Sequence, residues 1–348
     1  MRKLKYKMFN IKPYIIKEKD TIKRAIKMLQ KNDIKVLTVI NLNQKLCGTI
    51  TDGDIRRGLI KGKTIDNHCH EIMNKKPSYA LIDDDIKINK ILKNKKIDNP
   101  VLVDKNNKVV GIYSSSYKKP IHSKDNMIII MAGGEGKRLL PLTSDKPKPL
   151  LTINNVPIIS MIIDRFLDNG YRNIHVSVRY KSEKLIDYFN KDKYRNKINI
   201  LKERNPLGTA GCLSLINKNL CNEPVIVING DIITKVNYDE LLKYHAKLKS
   251  MITLCVTDYI TSVPFGIIKI KNHRIEGLEE KPISRHLINA GIYVINPEVI
   301  KLMKKNKKID MTELISLYIQ KKQVGVFPLH ESWIDIGNHE DYDKAQNI

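Results

Sequence analysis

The sequence predicts an α/β protein: a mostly parallel mixed sheet with helices on both faces, plus a small α+β module ahead of it. Three observations carry that expectation. From Ile128 onward, apolar runs such as 127–130 and 225–228 alternate with helical stretches such as 160–167, the rhythm of βαβ units. Before them, one pattern occurs twice: a helical stretch followed by two short strands. Between the two parts, residues 117–126 are polar and carry a proline. The expected division is therefore a module at 1–120, a linker at 121–126 and a larger domain at 127–348.

In the first repeat, Asp20 or Thr21 suits a helix cap, and Ile22, Ala25, Ile26 and Leu29 are spaced for one apolar face. Strands at 36–40 and 46–51 follow. The second repeat has its helix at 86–92 and its strands at 101–103 and 109–114. Equivalent polar turns, 41–44 and 104–107, separate the strands of each pair.

In the larger domain, 127–130 reads as a buried parallel strand. It runs into MAGGEGKRLLPLTSDKPKPLL at 131–151. Gly133, Gly134 and Gly136 let backbone amides approach a ligand, and a strand-end loop of free N–H groups binds phosphate. Arg138 and Lys148 add two positive charges, the second held between Pro147 and Pro149. Together they read as a nucleoside triphosphate site. The dinucleotide fingerprint fails because Leu139 stands in place of the third glycine. A Walker A loop fails because Arg138 replaces the magnesium-holding Ser or Thr. Downstream, an apolar strand ends at Asp231, and Asp335 stands two residues before Gly337. Either aspartate alone suits a strand-end cap or turn. A separated pair also suits magnesium, which prefers oxygen ligands and few protein contacts.

The run 131–151 resembles the signature of sugar-1-phosphate nucleotidyltransferases, L/M-A-G-G-x-G-x-R-L-x-P-L-T-x-x-x-P-K-P-L, and every fixed position matches. The resemblance covers about residues 126–348 and includes further elements in the family's order. Residues 203–211, ERNPLGTAG, are similar to the nucleotide-base loop; Glu280-Lys281-Pro282 is similar to the sugar-phosphate element; Asn289-Ala290-Gly291-Ile292-Tyr293 is similar to the strand that meets the sugar. Asp231 and Asp335 stand where the family carries metal-binding aspartates. The resemblance implies a Rossmann-like nucleotidyltransferase fold that uses Mg2+. It implies catalytic roles for Arg138, Lys148, Asp231 and Asp335. Ala132, Gly133, Gly134, Gly136, Pro206, Gly208 and Thr209 would bind the nucleotide. Gly266, Glu280, Lys281 and Asn289 would bind the sugar phosphate.

The doubled module resembles a tandem pair of CBS (cystathionine-β-synthase) domains, which sense adenine nucleotides or oligomerise. In that family Gly-x-x-Thr-x-x-Asp contacts a ribose, and Gly48, Thr51 and Asp54 fit it. The second repeat has Gly111 and Ser114 but Tyr117 at the aspartate position. A scaffold that only dimerises, with Asp54 capping the following helix, is the competing expectation.

Composition sets bounds. The formal net charge is +25, but the lysines are scattered and few aromatics interleave for base stacking, so a nucleic-acid role is not expected. Anionic nucleotide substrates suit such a surface through steering. Five cysteines without zinc-site spacing argue for a reducing compartment. The opening residues have no apolar signal core, and no apolar run approaches ~20 residues, so a cytoplasmic protein without a membrane span is expected.

The expected activity is transfer of a nucleoside monophosphate from a triphosphate to a hexose-1-phosphate, with release of pyrophosphate. GTP is favoured, because the base loop looks more like guanylyltransferases than like thymidylyl or uridylyl enzymes; UTP and CTP stay open. Glucosamine-1-phosphate is favoured as acceptor, since a CBS pair on a short nucleotidyltransferase resembles enzymes of nonulosonic acid biosynthesis. Mannose- and heptose-1-phosphate stay open. A catalytically silent, nucleotide-sensing regulatory subunit is the reading of another class. A homodimer or higher oligomer, with a regulatory nucleotide at the CBS pair, completes the expectation.

Overall fold

The computed structural model describes residues 11–32, 35–93, 99–113, 124–191 and 193–347. Residues 121–123 of the expected linker, with Ser114 and Tyr117 of the second repeat and the opening ten residues, lie outside them. The chain divides into two units, residues 1–120 and 121–348.

In the first unit, β1 (Ile15–Lys17), α1 (Ile22–Lys31), β2 (Val36–Ile40) and β3 (Leu46–Thr51) form one repeat, followed by α2 (Asp52–Ile60). The second repeat is β4 (Tyr79–Leu81), α3 (Asp85–Lys93), β5 (Val101–Val103) and β6 (Val109–Ile112). Each repeat makes a three-stranded sheet, β1-β2-β3 or β4-β5-β6, with a parallel first pair and an antiparallel second pair. The leading strands β1 and β4 add to the sequence expectation; three residues are too few to display a period of two. Thr21 caps α1, its hydroxyl accepting from Arg24 N at 3.3 Å. Ile22, Ala25, Ile26 and Leu29 are buried in one cluster with Leu37 and Val39 of β2. The two hairpin turns are built alike: Asn41 and Asp104 each accept from the backbone N–H two residues on, at 2.9 and 2.8 Å.

The second unit opens with β7 (Ile128–Met131), the small β8–β9 pair (Thr152–Ile153, Val156–Pro157), α4 (Ile158–Asp168), β10 (Ile174–Val178), α5 (Ser182–Phe189) and β11 (Ile198–Lys202). The short α6 (Gly208–Gly211), β12 (Val225–Asn229), β13 (Ile232–Thr234) and α7 (Tyr238–Leu248) follow. Two long strands, β14 (Ile252–Ser262) and β17 (Ile283–Ile295), flank the hairpin β15–β16 (Ile267–Lys271, Arg274–Glu279). Then come α8 (Pro297–Leu302), α9 (Met311–Ile319), β18 (Val324–Pro328), β19 (Trp333–Asp335) and α10 (His339–Ala345).

The central sheet runs β11-β10-β7-β12-β17-β14-β18, and only β17 opposes its neighbours. Alternation along its strands divides the core in two. Ile128, Ile130, Ile226 and Ile228 face a cluster containing Ile162 and Phe166 of α4, Leu185 of α5 and Leu241 of α7. Ile129, Val225 and Val227 face the opposite cluster, with Val299 of α8 and Leu314 and Ile315 of α9. Strands covered on both faces must be apolar at every position, which is why 225–228 reads as a continuous run. This is the mostly parallel mixed sheet with helices on both faces. Among the described residues, no helix is long and apolar enough to cross a membrane.

Candidate active site

A cavity of about 480 Å3 opens in the second unit at the carboxyl ends of β7 and β12, where open α/β sheets place their ligands. Its floor is the turn after β7. Gly136 has φ +66°, and a Cβ there would stand 3.1 Å from both Lys148 Cβ and Thr143 Cγ2. Only glycine meets both demands at low cost. The turn tightens through Thr143 Oγ1, which donates to Gly136 O at 2.9 Å. Arg138 and Lys148 each ride on a single 3-10 turn, Lys137–Leu139 and Lys148–Leu150, and both line the cavity with Ala132, Gly133, Gly134 and Gly136.

Opposite them lie the two aspartates. Asp231 lines the cavity just past the end of β12. Asp335 ends β19, which pairs antiparallel with β13 so that Asp335 stands opposite Ile232. Ile336 N also donates to Asp231 O at 3.1 Å. That small two-stranded sheet joins two carboxylates that lie far apart in sequence. Lys148 Nζ is ion-paired with Asp231 Oδ2. The other oxygens, Asp231 Oδ1 and Asp335 Oδ1, are buried without a hydrogen-bond partner. Asp335 titrates at about 6, raised first by burial and next by the charge of Asp231, while Lys148 and Arg138 pull it down. Asp335 is not among the cavity's lining residues, but its carboxylate feels the charge of Asp231. Two neighbouring carboxylates that each keep an orphaned oxygen fit a hard divalent cation, whose binding would satisfy both.

The far end of the cavity is the loop 206–211. Pro206, Gly208 and Thr209 line it, with Glu203 and Asp310. Gly208 has φ +78°, and a Cβ there would lie 2.6 Å from Ile309 O. Glu203 accepts from Ser177 Oγ and, at 3.3 Å, from Leu207 N.

The sugar-phosphate residues expected from sequence are not among those lining this cavity. Gly266 and Glu280 do neighbour each other: a Cβ on Gly266 would sit 3.0 Å from Glu280 Oε2. Lys281 is exposed at φ +45° beside them. Asn289 lies on β17, donating to Tyr293 Oη and accepting from Gly291 N, both at 2.9 Å. Thr51 and Asp54 are in the first unit, where Thr51 N and Thr51 Oγ1 donate to Asp54 Oδ2 at 2.9 and 2.7 Å.

Among the cavity residues to which the sequence reading gives no role are Arg179, Cys212, Asn229 and Asp310. Arg179 follows β10 and pairs with Glu135 at 3.2 Å; Lys137 also pairs with Glu135, and these cations, Lys137 first, lower its carboxyl. Asn229 is legible only as the residue ending β12. Asp310 carries one signal, the capping-box spacing to Glu313, which announces a helix and says nothing of a cavity.

The nucleotidyl transferase family profile matches residues 127–348, and the CBS domain profile matches residues 8–61. Over 222 residues the chain is 32% identical to the mannose-1-phosphate guanyltransferase of Yarrowia lipolytica, covering 62% of this chain and 61% of that one. The Saccharomyces cerevisiae protein of the same name is 32% identical over 223 residues, with 62% of each covered. The chain thus spans somewhat under two thirds of these relatives' length. Among solved structures, HddC from Yersinia pseudotuberculosis complexed with GMP-PN superposes with a TM-score of 0.50 at 28% identity, over 64% of this chain and 98% of that one. The profile match and the cavity's position on the sheet agree: the chain belongs to the nucleotidyl transferase family, with a CBS domain in its N-terminal part.

Proposed function

We propose that this chain transfers a nucleoside monophosphate, from GTP first among triphosphates, to a hexose-1-phosphate. The observation that carries the reading is the cavity itself: a glycine-rich turn with Arg138, Lys148 and Asp231 in its lining, and Asp335 outside that lining but close enough to feel the charges of all three. An oxygen of the sugar phosphate attacks the α-phosphorus. The bond from that phosphorus to the bridging oxygen breaks, and the electron pair leaves with pyrophosphate. Such transfers are accelerated mainly by positioning and charge neutralisation. Arg138 serves the triphosphate and the departing pyrophosphate. Lys148, held in place by Asp231, serves the α-phosphate, where negative charge gathers. Asp231 and Asp335 would hold Mg2+, which when bound supplies charge neutralisation and phosphate alignment.

Two things support guanine. Carboxylates accept hydrogen bonds, and Glu203 at the base end of the cavity suits a base edge that donates. Guanine donates there from N1–H and its exocyclic amine; uracil offers one donor between two acceptors. The relatives' names point the same way. Those names also put mannose-1-phosphate at the head of the acceptor panel, ahead of glucosamine-1-phosphate and heptose-1-phosphate. Lys281 and Glu280 are the groups for the acceptor's phosphate and hydroxyls.

The test is a matrix of five nucleotides (GTP, ATP, CTP, UTP and dTTP) against the three sugar phosphates, read by pyrophosphate release and product mass. GTP-dependent release with a GDP-sugar mass supports the reading. Turnover with UTP alone overturns the guanylyl choice, and inertness across the matrix overturns the transferase.

A further inference from the structure

We propose that Asp310 is a positioning residue that fixes the shape of the nucleotide-base loop and thereby tunes which triphosphate binds. The proposal rests on the reading of this cavity as a nucleoside triphosphate site. The loop's conformation comes largely from a segment far along the chain. Ile309 N donates to Leu207 O at 2.9 Å, and Ala210 N donates to Ile309 O at 3.1 Å. Between those two bonds, Thr209 N donates to Asp310 Oδ1 at 2.9 Å, and Met311 N donates to Thr209 Oγ1 at 2.7 Å. Asp310 itself lines the cavity with Gly208 and Thr209.

The same residue begins α9. Its N–H donates to Glu313 Oε2 at 3.0 Å, and its carbonyl accepts from Leu314 N at 3.0 Å. Met311, Leu314 and Ile315 anchor that helix in the core. One carboxylate thus ties a glycine-containing loop to a buried and rigid element. Without it, Thr209 N has no partner of fixed direction, and Gly208 at φ +78° has many other conformations open to it. Loop and base wall would then spread over several geometries, and small misplacements at a reacting site cost large factors in rate.

Three variants separate this role from helix capping, with wild type measured alongside. Asp310→Asn keeps an acceptor oxygen in place. Asp310→Ser keeps a good helix cap but is too short to reach Thr209 N. Asp310→Ala loses both. Expected for Asp310→Ser are a melting temperature near wild type, an unchanged KM for the sugar phosphate and a KM for GTP raised about tenfold or more. The preference for GTP over UTP should shrink, because a loosened wall discriminates less. Asp310→Asn should recover most of that loss. An Asp310→Ser enzyme with wild-type KM for GTP and wild-type nucleotide preference overturns the positioning role alone. Loss of kcat and both KM values together, in step with a falling melting temperature and without recovery by Asn, overturns it too. A wild-type protein that turns over no nucleotide overturns the nucleotide reading of the cavity, and this proposal with it.

Discussion

Two aspartates, Asp54 in the first turn of α2 and Asp335 at the end of β19, behave in opposite ways. Asp54, in the first unit, is 8% exposed, and its carboxylate is fully engaged: Oδ2 accepts from Thr51 N and Oγ1, and Oδ1 pairs with Arg57 at 2.5 Å. Asp335, in the second unit, keeps a buried oxygen with no partner and faces the like charge of Asp231. Buried polar groups are nearly always satisfied, so the first arrangement explains itself as a helix cap, whereas the second asks for something further. Sequence pattern alone marks both as ligand-binding aspartates. Hydrogen-bond closure separates them.

The sharpest way to break that comparison is to remove the open carboxylates. Asp231→Asn is expected to keep the fold and lower turnover by roughly two to three powers of ten, as lost transition-state charge stabilisation does elsewhere. Lys148→Ala should fall in the same range. Circular dichroism alongside pyrophosphate release checks both, and wild-type rates in Asp231→Asn would remove the metal assignment.

The second test uses pH. Asp335 titrates at about 6 in the folded protein against 3.8 ordinarily. Between those values the folded state holds a proton that the unfolded state has released, so this group's contribution to stability falls as pH rises through that window. Asp335→Asn removes the dependence. The variant should be more stable than wild type above pH 6, with the gap closing below about pH 4. Urea midpoints across that range, in chelator and without nucleotide, read it out. Parallel curves would show that Asp335 is not strained by its surroundings.

Smaller effects bear on the peripheral residues. Lys281→Ala should raise the KM for the sugar phosphate about tenfold, the scale of a lost charged hydrogen bond, with little change in the KM for the nucleotide. Equal rises in both would detach Lys281 from the acceptor. Asp54→Ala should cost about 1 kcal/mol of stability by removing the acceptor at the start of α2. Calorimetry with AMP, ATP and a GDP-sugar on wild type and on Asp54→Ala then decides between cap and sensor. Nucleotide heat that vanishes in the variant makes Asp54 a ligand as well as a cap.

Much of the fold and of the glycine-rich turn after β7 is legible in the sequence. Runs such as 127–130 and 225–228 are apolar at every position because both sheet faces are covered, and that requirement is written locally. The turn at 131–151 is legible for the same kind of reason. Glycines and prolines restrict backbone dihedrals residue by residue, and the cations follow at fixed offsets. The CBS-like repeats show themselves through matching apolar spacing and matching Asx turns.

What the sequence by itself determined, then, was the apolar runs that become buried strands, the glycine-rich turn with its two cations, and the acidic residues at 231 and 335 that close or follow strands. Tertiary structure alone decided who meets whom. It set Asp335 opposite Ile232 beside Asp231, brought Asp310 to the amide of Thr209, and left Glu280 and Lys281 outside the cavity that holds Arg138 and Lys148. The physical reason is range. Dihedral preference and apolar period act over a few residues, so local sequence records them directly. The register of β13 against β19, and the contact of the base loop with α9, depend on how the whole core packs, a sum of contacts that no single stretch of sequence contains.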